Sequence, residues 1–230
     1  MGNISVAELF YCNFCKCYRE RLALCSKSDT FVTMKSNESY IIERHPLEPF
    51  LPSSAHMLML GSFPPSKKRW SMEFFYPNWI NDMWRIVGRV FFDNPHHFEV
   101  VGEKRFDKER VVEFCTQRGI ALYDTASAVR RLRDNASDKY LEVVEPTDIE
   151  ALLEGMPRCV AIVTTGQKAT EVVAERFGAA IPPIGSFVEI VVGSRNVRFW
   201  RMPSSSRAYP LGLERKADYY RAMFQREGMV

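Results

Sequence analysis

The sequence predicts an α/β domain built on a parallel sheet, and three short apolar runs carry that prediction. Met57-Leu58-Met59-Leu60, Ile120-Ala121-Leu122-Tyr123 and Cys159-Val160-Ala161-Ile162-Val163 lack helical spacing and are bounded by Gly, Pro or polar residues. Runs of that length and composition are strands buried on both faces, as in parallel sheets covered by helices. Strand, turn and helix then recur along the chain, which is the pattern of an α/β sheet.

Taken in order, Tyr40 to Phe50 is an approach segment in which Pro46 and Pro49 argue against a long helix. The first strand stops at Gly61-Ser62-Phe63-Pro64-Pro65, where Gly61 permits unusual torsions and the two prolines stiffen the turn. Ligands of open α/β sheets collect at the carboxyl ends of strands, which is where this turn lies. An aromatic loop follows, Phe74 to Trp79, and then apolar residues at Ile80, Met83, Trp84 and Val87 with the spacing of one helical face, capped by Asn78 or Asn81. Phe74, Trp79 and Trp84 read as core, whereas Tyr76 reads as a site residue.

Val111, Val112, Phe114 and Cys115 predict a helix closed by Gly119, and the second strand after it ends at Asp124-Thr125. Asp124 is then either a crevice carboxylate or a cap for a following helix. Ala128 to Tyr140 is basic, a solvated face or a phosphate contact. Thr147-Asp148-Ile149-Glu150 starts a helix with an acidic first turn. The third strand runs into Thr164-Thr165-Gly166 and a helix over Ala169 to Phe177. Phe187–Val192 and Val197–Arg201 flank Gly193-Ser194-Arg195-Asn196 as a hairpin. A small-residue loop, Met202 to Arg207, precedes a closing helix over Glu214 to Gln225 with Ala217, Tyr220 and Phe224 on one face.

The 230 residues suit one such domain plus a terminal segment; 46% hydrophobic residues suffice for its core, and a net charge of only +3 does not by itself announce a nucleic-acid binder. Residues 1–33 differ from the rest and read as a poorly ordered or loosely attached extension ahead of an α/β domain at 34–230, with Met34 an alternative start. Of six cysteines, Cys12, Cys15, Cys17 and Cys25 crowd into that extension with spacing too tight for paired zinc knuckles, and Cys115 and Cys159 read as buried thiols. Neither metal nor cofactor is expected. Without a membrane span or a secretory signal, a cytoplasmic monomer is the expectation. Gly-x-Gly-x-x-Gly, the phosphate-loop pattern and the Gly-x-Ser-x-Gly elbow are missing, which weighs against dinucleotide, nucleoside-triphosphate and α/β-hydrolase chemistry.

Gly61-Ser62-Phe63-Pro64-Pro65, Asn81-Asp82-Met83-Trp84 after the aromatic loop, and Met202-Pro203-Ser204-Ser205-Ser206 together resemble the uracil-DNA glycosylase superfamily, most of all its hypoxanthine-DNA glycosylase branch. Gly119 to Asp124 and Thr165 to Ala169 also look like that branch, and the resemblance spans Tyr40 to Phe224. It implies a three-layer α/β/α sandwich with a mainly parallel four-stranded central sheet. It further implies a DNA-repair glycosylase that flips a deaminated base of the uracil or hypoxanthine class from DNA containing a damaged or mismatched base and hydrolyses its N-glycosidic bond. Better-known branches carry Asp or Asn where Phe63 stands and His where Met202 stands. The catalytic polar roles therefore fall to Asn81 and Asp124.

Gly61, Ser62, Phe63 and Tyr76 are the expected substrate-binding residues, Tyr76 by stacking on the base. Ser204, Ser205, Ser206, Arg207, Lys67 and Lys68 are the expected DNA contacts, with Arg207 or Ser206 as a wedge or phosphate ligand. Phe63 and Met202 also fit a non-catalytic DNA-damage binding protein of the same fold.

Overall fold

The computed structural model describes residues 41–132 and 140–230. The reading of residues 1–33, the alternative start at Met34, the four clustered cysteines and part of the basic run therefore lie outside the described residues. Two sheets and five α-helices account for most of the rest. The central sheet has the order β3-β2-β6-β8-β7, comprising β2 (Met57–Gly61), β3 (Ile120–Asp124), β6 (Ala161–Thr165), β7 (Ser186–Val192) and β8 (Arg195–Met202).

β2 pairs in parallel with both β3 and β6, and β6 with β8. All residues of β2, β3 and β6 are buried, as apolar runs without alternation require. The sheet thus has five strands where four were expected. The fifth, β7, is the first arm of the hairpin and pairs antiparallel with β8 at the edge. The third strand also starts two residues later than the apolar run suggests, because Val160 is exposed and only the stretch from Ala161 on pairs with β2.

α1 (Met83–Phe92) and α2 (Lys108–Arg118) lie between β2 and β3 in the chain, and a small cavity of about 10 Å³ is walled jointly by their residues and by Met59, Ile120 and Leu122 of those strands. α5 (Leu213–Arg226) joins the same layer: Phe91 of α1 meets Phe114 of α2 and Phe224 of α5, each with ring centroids 4.9 Å apart. α3 (Ile149–Glu154) and α4 (Gln167–Phe177) are tied together by Arg176 and Glu150. They connect strands progressing in the opposite direction across the sheet, so right-handed crossovers put them on its other face.

The helix boundaries follow their local signals. Asp107 accepts a hydrogen bond from the backbone N–H of Arg110 in α2 and Asp148 from that of Ala151 in α3, each the third residue of its helix, and Gly119 ends α2 in the left-handed region at φ 63°. Cys115 and Cys159 are buried free thiols, and burial pushes the Cys159 thiol up to about 11. Among the described residues no helix is long and apolar enough to cross a membrane.

A second, three-stranded antiparallel sheet has the order β1-β4-β5, with β1 (Ile42–Arg44), β4 (Ala126–Arg131) and β5 (Leu141–Pro146). The approach segment holds a short strand and, in accord with its prolines, no long helix; of the two readings of Asp124 the helix cap falls, because β4 follows it. The first part of the basic run lies in β4, where Arg130 meets Glu142 and Arg131 meets Glu43 across the ladder; Arg44 of β1 likewise meets Glu145. Phe63 and Val143 pack against its small core of Ala126, Val129 and Leu141.

Phe224 is fully buried at the junction of the three helices on one face. Phe224→Ala is expected to cost about 3–5 kcal/mol. A urea titration should show a lower midpoint at an unchanged slope, and an unchanged midpoint would contradict this packing.

Candidate functional site

The carboxyl ends of β2, β3 and β6 stop side by side, with Gly61 opposite Asp124 and Leu60 opposite Thr164. The chain leaves β2 toward one face of the sheet and β6 toward the other, so a crevice opens between them, the usual place for a ligand in such sheets. Asp124 sits at its floor with its side chain 10% exposed, and its Oδ2 is 2.9 Å from His45 Nε2. Its backbone carbonyl accepts from Thr147 Oγ1 at 2.7 Å. Gly61 is required by this arrangement, since a Cβ there would collide with Asp124 Oδ1 and would lie 3.8 Å from the Tyr76 hydroxyl.

Tyr76 closes the crevice from the loop after β2. Its hydroxyl is 3.0 Å from Thr165 Oγ1 at the end of β6, and its ring meets Trp84 edge-on. Its φ of 51° is in the left-handed region, where a tyrosine carries backbone strain that the surrounding contacts must hold. Burial, and then the negative charge of Asp124, push the Tyr76 phenol well above its ordinary range. The hydroxyl therefore stays neutral and acts as a hydrogen-bonding group.

The loop that carries Tyr76 is held at several points. Trp70 Nε1 donates to the Pro65 carbonyl at 2.7 Å, and Trp84 Nε1 to that of Phe75 at 3.0 Å. Arg85 lies over the rings of Trp79 and Phe106, pairs with Glu99 at 2.6 Å, and donates to the carbonyls of Trp79 and Asn81. Asn81 Oδ1 accepts from Met83 N at 2.9 Å, a turn one residue ahead of the helix; the N-cap of α1 is Asp82, whose side chain makes no capping bond, so neither Asn78 nor Asn81 is the cap that the sequence predicts. Phe63 is half-buried, edge-on to His45 with centroids 5.3 Å apart and near Arg131.

A second wall comes from the loop after β8. Asn81 bridges Ser206 through the backbone, and Asp82 N donates to the Ser205 carbonyl. Asp82 is buried between two cations: its Oδ1 is 2.9 Å from Arg207 Nε and its Oδ2 3.0 Å from Lys216 Nζ. Lys216 is fully buried and also donates to the Ser206 carbonyl at 2.8 Å. Arg207 keeps half of its side chain exposed. Ser204 Oγ accepts from Ser206 N, and Ser206 Oγ from Ala208 N, so these hydroxyls shape the turn. Lys67 and Lys68 lie on an exposed 3-10 turn, where Lys67 pairs with Glu73 and sits over Trp70.

The structure thus joins Gly61, Tyr76 and Asp124 in one group, and Asn81 with Ser205, Ser206 and Arg207 in another. No hydrogen bond joins Asn81 to Asp124. Met202 is buried at the end of β8, and its carbonyl accepts from Gly166 N. His45, Asp82 and Lys216 escaped the sequence reading. His45 stands in a proline-rich segment with no periodic signal. Lys216 did carry one: it precedes Tyr220 and Phe224 at four-residue steps, so it shares their inward stripe and needs a carboxylate. Among the described residues no group of three or more His, Cys, Asp or Glu side chains could hold a metal ion.

No protein-family profile matches the chain, and no curated protein sequence does either. A solution NMR structure from Methanosarcina acetivorans, of a protein provisionally named a uracil DNA glycosylase, superposes with a TM-score of 0.54 at 23% identity, covering 81% of this chain and 98% of that one. The two share a fold. The likeness extends over most of the described α/β domain and nearly the whole of the archaeal protein.

Without Lys216, buried Asp82 keeps only the half-exposed Arg207 and its Oδ2 loses its donor, a loss of about 1–3 kcal/mol. Lys216→Met, which keeps the stem but deletes the ammonium, is expected to lower stability by that order in chemical denaturation, and to loosen the Ser204–Arg207 loop in hydrogen exchange. Wild-type exchange in that loop would show that Lys216 does not hold it.

Proposed function

We propose that this protein is a DNA glycosylase that takes a deaminated base of the uracil or hypoxanthine class out of the duplex and hydrolyses its N-glycosidic bond. The observation that carries the reading is the group at the strand ends: a carboxylate over Gly61, facing a tyrosine held in strained backbone, on a fold shared with a provisionally named uracil DNA glycosylase. Extrusion of a base costs a few kcal/mol, least for a mismatched one. Stacking on Tyr76, at about 1–3 kcal/mol for base on aromatic, offsets part of it.

In the reaction the sugar becomes cation-like and the base departs as an anion. Asp124, ionised, only accepts hydrogen bonds, which suits the ring N–H of uracil or hypoxanthine, or a water bound for the sugar carbon. The Asn81 oxygen is occupied by the Met83 N–H, so its amide nitrogen is the end left to donate to the leaving base. Gly61, Ser62 and Phe63 form the floor of the pocket, with Phe63 contributing an apolar wall. Backbone and hydroxyl groups of Ser204 and Ser206, together with Lys67 and Lys68, line the DNA backbone, whereas Ser205, expected among these contacts, is buried and holds the turn through its carbonyl. Arg207 acts as a phosphate ligand rather than a wedge, since its Nε is already engaged by Asp82. Asp82 is shared by Lys216 and Arg207, so the three together carry one net positive charge, with Arg207 the exposed member at the rim.

Phe63 packed on His45 and the buried Met202 support a second reading, a DNA-damage binding protein without hydrolysis. A panel of labelled duplexes, each with one damaged base and followed by alkali cleavage, separates the two. Glycosylase action predicts an abasic product, reduced about 10- to 100-fold by Asp124→Ala and also reduced by Asn81→Ala. Retention of the damaged duplex without product supports the second reading, and unchanged rates in both variants remove the assignment of those residues. In binding titrations across salt concentrations, Arg207→Ala is expected to reduce the slope of log K against log salt by about 0.9, the value of one phosphate contact.

A further inference from the structure

The His45 imidazole is a buried titratable group in hydrogen-bond contact with Asp124, and the reaction above gives it no task. Its side chain is 2% exposed, yet it lies outside every strand of the central sheet. It is fixed from several sides. Its ring packs on Tyr123 with centroids 4.5 Å apart, edge-on to Phe63, and near Phe75. Its backbone N–H donates to the Ser127 carbonyl. Nδ1 is engaged by the Leu47 backbone, with the carbonyl at 2.8 Å and the N–H at 3.2 Å. Nε2 faces Asp124 Oδ2 at 2.9 Å.

A carboxylate nine-tenths buried is retained in ionised form only where donors meet it, and is otherwise neutral. Among the described residues, His45 is the side chain that meets the Asp124 carboxylate with such a donor. Oδ2 is occupied by that bond, and Oδ1, over Gly61, is the atom left for a ligand. We infer that His45 is the positioning residue of this site: by donating from Nε2 it keeps Asp124 an ionised, acceptor-only reader and so selects bases that present a ring N–H over bases that present a ring lone pair at the same place.

The Leu47 backbone is arranged for this role. Whether Nδ1 accepts from the Leu47 N–H or donates to its carbonyl, Nε2 can carry its hydrogen toward Asp124, in the neutral ring or the imidazolium respectively. Deleting the imidazole leaves a buried carboxyl without a donor. Such a group takes a proton, becomes a donor, and prefers a ring lone pair. The inference rests on the glycosylase reading for its substrate but not for the His45–Asp124 contact itself.

Both parts are tested together. Single-turnover base release is compared for deoxyinosine against deoxynebularine, or for uracil against 2-pyrimidinone, whichever pair the wild type processes; within each pair the second base has a lone pair where the first has N–H. His45→Leu is expected to shrink the wild-type preference for the N–H base by about 10-fold or more. His45→Gln, whose amide N–H replaces the Nε2 donor, is expected to keep it. An unchanged preference in a folded His45→Leu variant, or loss of preference in both variants alike, overturns the selection role. Imidazole ¹⁵N spectra of the full chain without DNA supply the arm that needs no activity. Asp124→Asn should shift the His45 ring nitrogens, and unmoved resonances overturn the contact. If the wild type releases no base from any duplex, the glycosylase reading fails, while the spectra still decide the dyad.

Discussion

Because β2 is hydrogen-bonded on both sides, to β3 and to β6, three strand ends are brought to one height and cannot slide independently. A shift of one residue would turn every side chain of a strand to the opposite face, which full burial forbids. That pairing sets Gly61 against Asp124 and brings Thr165 within reach of Tyr76. The missing side chain at Gly61 then gives Asp124 its room. Everything else at the crevice is attached to this frame: the aromatic loop through Tyr76 and Trp84, the approach segment through His45, and the serine turn through Asp82.

The two departures from an all-parallel sheet have a common purpose. β7 extends the sheet at its far edge, away from the crevice, and covers β8 with antiparallel bonds. The β1-β4-β5 sheet stands after Asp124, and its charged ladder is half solvated. Its arginines and glutamates are surface pairs, worth little individually, but Arg131 is mostly buried and also donates to the Pro64 carbonyl. Through that bond the small sheet steadies the rigid turn after β2.

Much of the central frame was legible because its strands carry local signatures. An apolar run that ends at glycine or a polar pair identifies β2, β3 and β6; Gly119 marks the end of α2, and Asp148 the start of α3. The small sheet was not legible, since alternating charges look like any solvated face until the partner strand is known, and β1 and β4 pair across more than eighty residues. The same division holds at the crevice. Tyr76 and Asp124 could be named from their places beside strand ends. His45 could not, because its meaning comes from Asp124, which is 79 positions away. Asn81 reads as a cap in the sequence, yet in the folded chain it bonds Met83 from one residue ahead of the cap position, which Asp82 takes.

The buried Asp82–Lys216 pair has a consequence for synthesis. Its partners are 134 residues apart, and Lys216 follows every strand of the sheet. Since chains emerge amino end first and domains fold as units, the serine turn gains the ammonium that anchors it only once α5 has emerged and packed its Phe224 against α1. The rim of the crevice is therefore completed by the last helix of the chain and not by the sheet that carries its floor.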